Sequence, residues 1–321
     1  MKSITAPFMR STTSRFPAVY PFLFCLILGL AGCATSPRAA STTPPAKNLI
    51  AVMSAFDPEI TATESLLIGT NPPVAVTRIN GVTFKQVKFE GHDLLLFASG
   101  MSLVNAAMTT QLAIDHFHVS KVLFAGIAGG INPAHRVGDV VVPEKWYHHS
   151  EAVYANPKPD GSGYILPEYF KPTYENFGFM FPDNVTVIRD DMTTPARTAY
   201  FAADPALLET ARQALKTLPP IPFAGRRADV SVGGNGVSGP VFMDNREYRK
   251  WTFRVWQAEC LDMESTAIGQ VCWANHTPFL IIRSLSDLAG GQEGINAADA
   301  MQAPASANAS LVLREVLRAM K

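Results

Sequence analysis

Four cysteines in 321 residues are too few for a disulfide scaffold, and no C-x-x-C pair or His/Cys cluster has structural zinc spacing. Neither sign of charge is in excess. Lys and Arg number 27 against 27 Asp and Glu, so the basic footprint that displaces counterions from nucleic-acid phosphates is missing, which argues against DNA and RNA as partners. The chain also lacks an apolar run of the ~20 residues that a bilayer-spanning helix needs. Its most apolar stretch, Pro21 to Gly32 (PFLFCLILGLAG), stops short of that length. No internal repeat is visible. What is present, 47% hydrophobic and 17% charged residues, is ample for a buried core and excludes a disordered or collagen-like chain.

Lys2, Arg10 and Arg15 precede the apolar run without a single acid, and small residues close it, as in a secretory signal. Leu30-Ala31-Gly32-Cys33 resembles a bacterial lipobox, whose cysteine thiol is lipidated and becomes the new N-terminus. Residues 1–32 are therefore expected to be a lipoprotein signal peptide and Cys33 a lipidated residue. Residues 33–48, rich in Ser, Thr, Pro and Ala, read as a flexible tether. The expected location is a bacterial cell envelope, with the protein held to the membrane by its lipid and facing the periplasm or exterior. Without residues 1–32 the chain keeps 24 basic and 27 acidic residues, which steers it to no polyanion.

From Leu49 to the C-terminus, strand-like and helix-like segments alternate. Leu49–Ala55 is a continuous apolar run of the kind a doubly covered strand shows, and Asp57-Pro58 supplies an N-cap and a first-turn proline. Two alternating stretches flank Gly91 as a hairpin, and Leu103, Ala106, Ala107, Thr110, Ile114 and Phe117 mark a helix. Lys121–Gly126, Val137–Val142, Asp229–Gly233, Cys260–Met263 and Pro278–Leu285 read as strands or strand ends. Helices are expected from Asp204-Pro205 to Leu218, over Glu247–Trp256 and Ser265–Ala274, and over Ser306–Met320. This predicts a single α/β domain, residues 49–321, with a mixed, mostly parallel central sheet covered by helices on both faces. Residues 147–198, rich in Pro, Tyr, Asn and Gly without periodicity, read as an insertion that covers a site.

Ligands of such sheets bind beyond the carboxyl ends of the strands. Glu59, Glu264 and Asp287 each follow an apolar strand closely, so three carboxylates can meet at that edge; singly, each reads as a helix cap or solvated loop charge, and it is the convergence of three that points to a site. Gly234-Asn235-Gly236-Val237-Ser238-Gly239 matches G-x-G-x-x-G, with Glu259 twenty residues on. Pro240 to Met243 then intervene before Asp244, the next capping residue, so the glycines do not open a helix and no dinucleotide cofactor is expected. Gly126-Ile127-Ala128-Gly129-Gly130 is either a tight turn or a place where a ligand approaches the backbone. Cys260 and Cys272 read as buried free thiols. Trp146, Tyr147, His148 and His149 read as a pocket border or subunit interface rather than a metal site, for want of a third ligand; no metal is expected.

Ile50–Ile60 (IAVMSAFDPEI), Ser99–Ala107 (SGMSLVNAA), Gly126–Val142 (GIAGGINPAHRVGDVVV), Asp262–Ala267 (DMESTA) and Ile282–Asp287 (IRSLSD) resemble the purine nucleoside phosphorylase and nucleosidase superfamily. Among its enzymes the chain is most similar to the 5′-methylthioadenosine/S-adenosylhomocysteine nucleosidases, while Val237–Arg249 (VSGPVFMDNREYR) is similar to their relatives, the plant vegetative and bark storage proteins. The resemblance covers residues 49–143 and 231–290. It implies a nucleoside phosphorylase-like fold, a homo-oligomer such as a dimer, a small nucleoside as partner, and cleavage of a purine N-glycosidic bond without a cofactor.

The resemblance also implies roles. Cleavage builds positive charge on the ribose and negative charge on the leaving base. Asp287 corresponds to the acid at purine N7, with a raised pKa expected, and Glu59 to the carboxylate that orients water. Glu264 corresponds to the ribose-hydroxyl ligand, with Met263 beneath the sugar and Arg283 nearby. Phe242, with Met243 beside it, falls where an aromatic stacks on the purine; ordinary core packing explains these two as well. Ile127 stands where these enzymes carry Ser or Thr, which weakens a phosphate site, and Asp262 replaces the usual Glu before Met263. Arg78 or Arg136 could still bring a cation, from a loop or from a neighbouring subunit. Three readings stay open: a nucleosidase, a phosphorylase, and a noncatalytic nucleoside binder. The 5′ side of the ribose is expected to lie against the 147–198 insertion.

Overall fold

The computed structural model describes residues 49–320; the signal peptide, Cys33 and tether expected from the sequence lie outside the described residues. Twelve strands form the main sheet and are numbered here along the chain: β1 (Leu49–Ser54), β2 (Ala75–Ile79), β3 (Val82–Phe89), β4 (His92–Ala98), β5 (Val119–Gly130), β6 (Val140–Val142), β7 (Lys145–His148), β8 (Tyr200–Ala202), β9 (Val230–Val232), β10 (Asn235–Ser238), β11 (Ala258–Asp262) and β12 (Phe279–Asp287). Their main order is β8-β7-β10-β11-β5-β1-β4-β3-β2, with β12 on the other edge of β5, β6 against β12 and β9 against β6. β1 runs parallel between β4 and β5, and β12 runs parallel to β5. Antiparallel pairing enters with β2, β3, β8 and the β6–β12 and β5–β11 contacts.

β5 is twelve residues long, and its length organises the site. Its first half lies between β1 and β12; β12 continues alongside as far as Gly129, while on the other edge Gly129 and Gly130 pair with Leu261 and Cys260 of β11. The Gly-rich Gly126–Gly130 stretch is therefore extended strand, not a turn, and it brings the ends of β1, β11 and β12 together. The G-x-G-x-x-G segment contains β10, where Gly236 packs flat against the Trp146 indole and no side chain would fit.

Six helices lie among the described residues: α1 (Asp57–Leu67), α2 (Leu103–His116), α3 (Pro205–Thr217), α4 (Arg246–Trp256), α5 (Ser265–Ala274) and α6 (Ala298–Ala319). α1, α3 and α6 pack together and α2 packs on α5, with the sheet between the two groups. Local chemistry sets their starts. Asp204 accepts hydrogen bonds from Ala206 and Leu207 N–H at the head of α3, and Asn245 accepts from Tyr248 N–H at the head of α4. α1 differs from expectation, because Phe56 is its N-cap and Asp57 is already helical, complementing the helix dipole from the first turn. α6 begins eight residues before the expected Ser306 and contains Pro304, the residue that made its first turns unreadable as helix. Two-residue turns at Asn80-Gly81 and Glu90-Gly91, with φ of 48°, 84°, 44° and 90°, join β2 to β3 and β3 to β4.

The insertion folds into small ribbons, pairing Ala152–Tyr154 with Met180–Pro182, Asn156–Pro157 with Tyr164–Ile165, and Val185–Val187 with Ala196–Thr198. It returns to the sheet through β8. Phe177 and Tyr174 pack on Tyr248, Trp251 and Trp256 of α4, and Glu175 forms a two-pronged ion pair with Arg254.

Candidate active site

The first turn of α1 aims Glu59 back under the end of β1. Its Oε2 accepts from Ala55 N–H at 2.6 Å and its Oε1 from Ile127 N–H at 2.7 Å, and the side chain is only 2% exposed. From β12, the wholly buried Arg283 reaches three carboxylates at once: Asp262 through Nε at 2.7 Å, Glu264 through Nη2 at 2.9 Å and Glu59 through Nη1 at 3.5 Å. Its guanidinium also lies 4.0 Å from the Phe124 ring centroid. Gly126 makes this convergence possible, because a Cβ there would overlap both Glu59 Oε1 and Arg283 Nη1.

Asp262, at the end of β11, is the hub of the hydrogen-bond network in the wall. It accepts from Ser238 Oγ at 2.6 Å, from Ser265 Oγ, from the Glu264 and Ser265 N–H groups, and from Arg283. Glu264, the N-cap residue of α5, is held by Ser102 N–H at 2.8 Å on its other oxygen. Ser102 pays for that contact in geometry, with φ 80° and ψ 159°, a region that L-residues avoid. Asp287 ends β12; its Oδ1 accepts from Ala289 N–H at 2.7 Å, and its Oδ2 is 2.8 Å from Ser286 Oγ.

One cation against three buried carboxylates leaves the cluster short of positive charge. Burial, only partly offset by Arg283, raises the Glu59 carboxyl above its ordinary range, and burial with the neighbouring Asp262 and Glu59 pushes Glu264 up to about 7. The carboxylates around it raise Arg283 still further, so it stays charged.

These groups open onto a cavity of about 250 Å³. Glu59, Ile127, Phe242, Met243, Met263, Glu264 and Asp287 all line it, so seven of the residues singled out from the sequence are brought together. Phe242 stands at the rim with its ring exposed. Arg283 is not on the wall but behind it. Sequence reasoning missed Ser102 and the lining residue Met101, which lie within the Ser99–Ala107 motif, the lining residue Phe56 within Ile50–Ile60, and the lining residues Leu261, Asp299 and Gln302, which carry no motif of their own.

Three expectations are corrected. No residue of 147–198 lines the cavity; the insertion packs on α4 because its aromatic residues find their apolar partners there. Trp146 and His149 are buried, not a border, with His149 Nδ1 2.7 Å from Tyr248 Oη and His148 Nε2 3.2 Å from Gln270 Oε1. Within one chain neither Arg78 nor Arg136 reaches the cavity: Arg78 bonds Gly81 O and Arg136 pairs with Asp229. No Lys, Arg or His is among the lining residues. Cys260 and Cys272 are buried free thiols.

Residues 49–318 match the family model described as Phosphorylase superfamily. The chain is 32% identical over 272 residues to the 5′-methylthioadenosine/S-adenosylhomocysteine nucleosidase of Geobacillus kaustophilus, covering 84% of this chain and 97% of that one. The enzyme of the same name from a Marinomonas species is 30% identical, over 84% of this chain and 99% of its own. Among solved structures, the Neisseria meningitidis nucleosidase in complex with methylthio-immucillin-A superposes with a TM-score of 0.63 at 26% identity, over 85% of this chain and all of that one. The Colwellia psychrerythraea nucleosidase in complex with adenine gives 0.63 at 25% identity, over 86% and 96%. These findings bear on the nucleosidases; the likeness to plant storage proteins rests on Val237–Arg249 alone. They also overturn the expected lipid-anchored location. The relatives are nucleosidases matched over 97% and 99% of their own length, and no helix among the described residues is long and apolar enough to cross a membrane.

Proposed function

The chain belongs to the phosphorylase superfamily, and from that premise we propose that it hydrolyses the N-glycosidic bond of an adenine-type nucleoside, such as 5′-methylthioadenosine or S-adenosylhomocysteine, to release free base. The observation that carries hydrolysis over phosphorolysis is the charge of the cavity wall. Its ionisable lining side chains are all carboxylates; Arg283 behind them is already shared among three, and Arg249, near Asp287, is bonded to the Gly130 and Asn132 carbonyls. A phosphate dianion beneath the ribose would find repulsion and no free donor cation; a water molecule suffers neither penalty.

The roles follow from the unused lone pairs. A carboxylate offers about four acceptor positions. Glu59 spends three on Ala55 N–H, Ile127 N–H and Arg283, which leaves one to hold the attacking water and take its proton. Glu264 is bonded once on each oxygen, by Ser102 and Arg283, and keeps a free position on each for the two ribose hydroxyls. Asp287 has room on Oδ2 beside Ser286 to donate a proton to purine N7 as the C1′–N9 bond breaks. Met263 lies beneath the sugar, and Phe242 with Met243 faces the base. The oxocarbenium-like sugar then sits among carboxylates, where its positive charge is favoured.

We also propose a homodimer. Met101, Val104 and Met108 are exposed apolar side chains beside the cavity and along the first turns of α2, a surface suited to a second copy.

The test of the site is a pair of variants. Asp287→Asn should keep nucleoside binding while turnover falls by ~10²- to 10⁴-fold, the usual worth of a general acid. Glu59→Gln should lose turnover to a similar extent, with melting measured alongside, because an amide nitrogen would face a backbone N–H. Near-normal release of adenine by either variant would assign the role elsewhere.

A further inference from the structure

The segment 288–297, between β12 and α6, follows Asp287 directly and is laid against the head of α4. A Cβ at Gly290, where φ is 88°, would overlap the Asn245 backbone, and one at Gly291 would overlap the Arg249 guanidinium. Arg249 in turn donates from Nε to Gly130 O at 2.8 Å, which ties the same helix to the end of β5. Two side chains of the segment reach Asp244, the residue that follows Phe242 and Met243. Gln292 Nε2 donates to Asp244 Oδ1 at 2.7 Å, and Asn296 Nδ2 donates to the same oxygen at 3.0 Å.

Asn296 also faces Asp287. Its Nδ2 lies 3.5 Å from Asp287 Oδ1, while its own Oδ1 accepts from Ala298 N–H at 2.9 Å at the head of α6. These partners fix the orientation of the amide: turned over, it would set its carbonyl oxygen against two carboxylates and its NH2 group against an N–H. Asp287 Oδ1 thus faces two donors, Ala289 N–H and Asn296, whereas Oδ2 meets only the Ser286 hydroxyl. Resting on the nucleosidase reading of the same cavity, we propose that Asn296 is a positioning residue for the general acid: with Ala289 N–H it keeps the proton of Asp287 on Oδ2, and it stabilises the carboxylate left behind. As the Oδ2 proton passes to purine N7, the C1′–N9 electron pair leaves with the base and Asp287 becomes an anion. An amide N–H gains more from a carboxylate than from a carboxyl group, so the Asn296 contact, long before reaction, tightens in the transition state and acts on kcat rather than on KM.

The test is a double-mutant cycle on the whole protein with 5′-methylthioadenosine, read as adenine release with kcat and KM resolved. Asn296→Ser retains an oxygen for the α6 N–H but cannot reach Asp287; it should lower kcat about tenfold, the worth of one hydrogen bond to a charged group, and leave KM within about twofold. Asn296→Asp caps a helix as well as asparagine does, yet sets a third carboxylate beside Asp244 and Asp287, so its kcat should fall at least as far. In the Asp287→Asn background, where that residue passes no proton, Asn296→Ser should change kcat by less than about twofold. A residue that only capped α6 would tolerate aspartate, and its loss would cost both backgrounds alike. Near wild-type kcat for either Asn296 variant, or equal losses in the two backgrounds, would overturn the positioning role while adenine release by the wild type upheld the nucleosidase reading. No adenine from the wild-type protein would overturn both.

Discussion

Glu264 carries a pH dependence whose sign follows from its surroundings. Its carboxyl is raised from the ordinary 4.5 to about 7, so between those values the folded protein holds a proton that the unfolded chain releases. This contribution to stability is present at low pH and is lost as pH rises through that window. Glu264→Gln abolishes the titration, so the melting temperature of the variant relative to wild type should increase from pH 5 to pH 8; a constant difference would show that Glu264 does not titrate there. As the ionised form is the better acceptor for ribose hydroxyls, wild-type kcat/KM should rise with pH through about 7 and lose that limb in the variant. Gly126 is a second residue-scale test. Gly126→Ala drives a methyl group into Glu59 and Arg283, and turnover should drop at least ~10²-fold, as for other sub-ångström misplacements of catalytic groups. Ser102→Gly should do the reverse to stability, relieving about 1–3 kcal/mol of backbone strain against ~0.5–1 kcal/mol of added chain freedom, visible as a higher melting temperature.

At the scale of elements, the legible parts were those whose local pattern and tertiary role agree. β1 is a continuous apolar run up to Ser54 and β12 opens on one, Phe279–Ile282, and the Asp204 cap and the Glu90-Gly91 turn each announce an element boundary in chemistry as well as in structure. Elements set by distant partners were not legible. The exposed edge strand β2 has no apolar alternation to mark it, the start of α6 is masked by Pro304, and the extension of β5 through its glycines is fixed only by β11 and β12. The carboxylates that follow strands could be read as a group, since an α/β sheet gathers such positions at one edge; their common partner behind the wall, Arg283, could be named but its three-way contact could not. The insertion was misread for the same reason, because its aromatic residues say that it packs without saying on what. Trp251 joins it to α4, buried and donating Nε1–H to Glu175 O at 3.1 Å. Trp251→Ala should cost about 3–5 kcal/mol in denaturant unfolding, and a change under ~1 kcal/mol would mean that the insertion does not brace α4.

The described domain gathers strand ends and the first turns of α1 and α6 around one cavity and uses the buried Arg283 to hold carboxylates together, not to bind an anion. The proposed dimer belongs to this scale too. Val104→Glu should convert it to monomer in sedimentation velocity, whereas a wild-type monomer at micromolar concentration would contradict it. The central claim, that water rather than phosphate attacks the ribose, is tested most directly by incubating the purified protein with 5′-methylthioadenosine in phosphate-free buffer and resolving both products. The account predicts adenine and free 5-methylthioribose at a rate that added phosphate does not change; adenine release that waits for phosphate and yields the sugar 1-phosphate would contradict it.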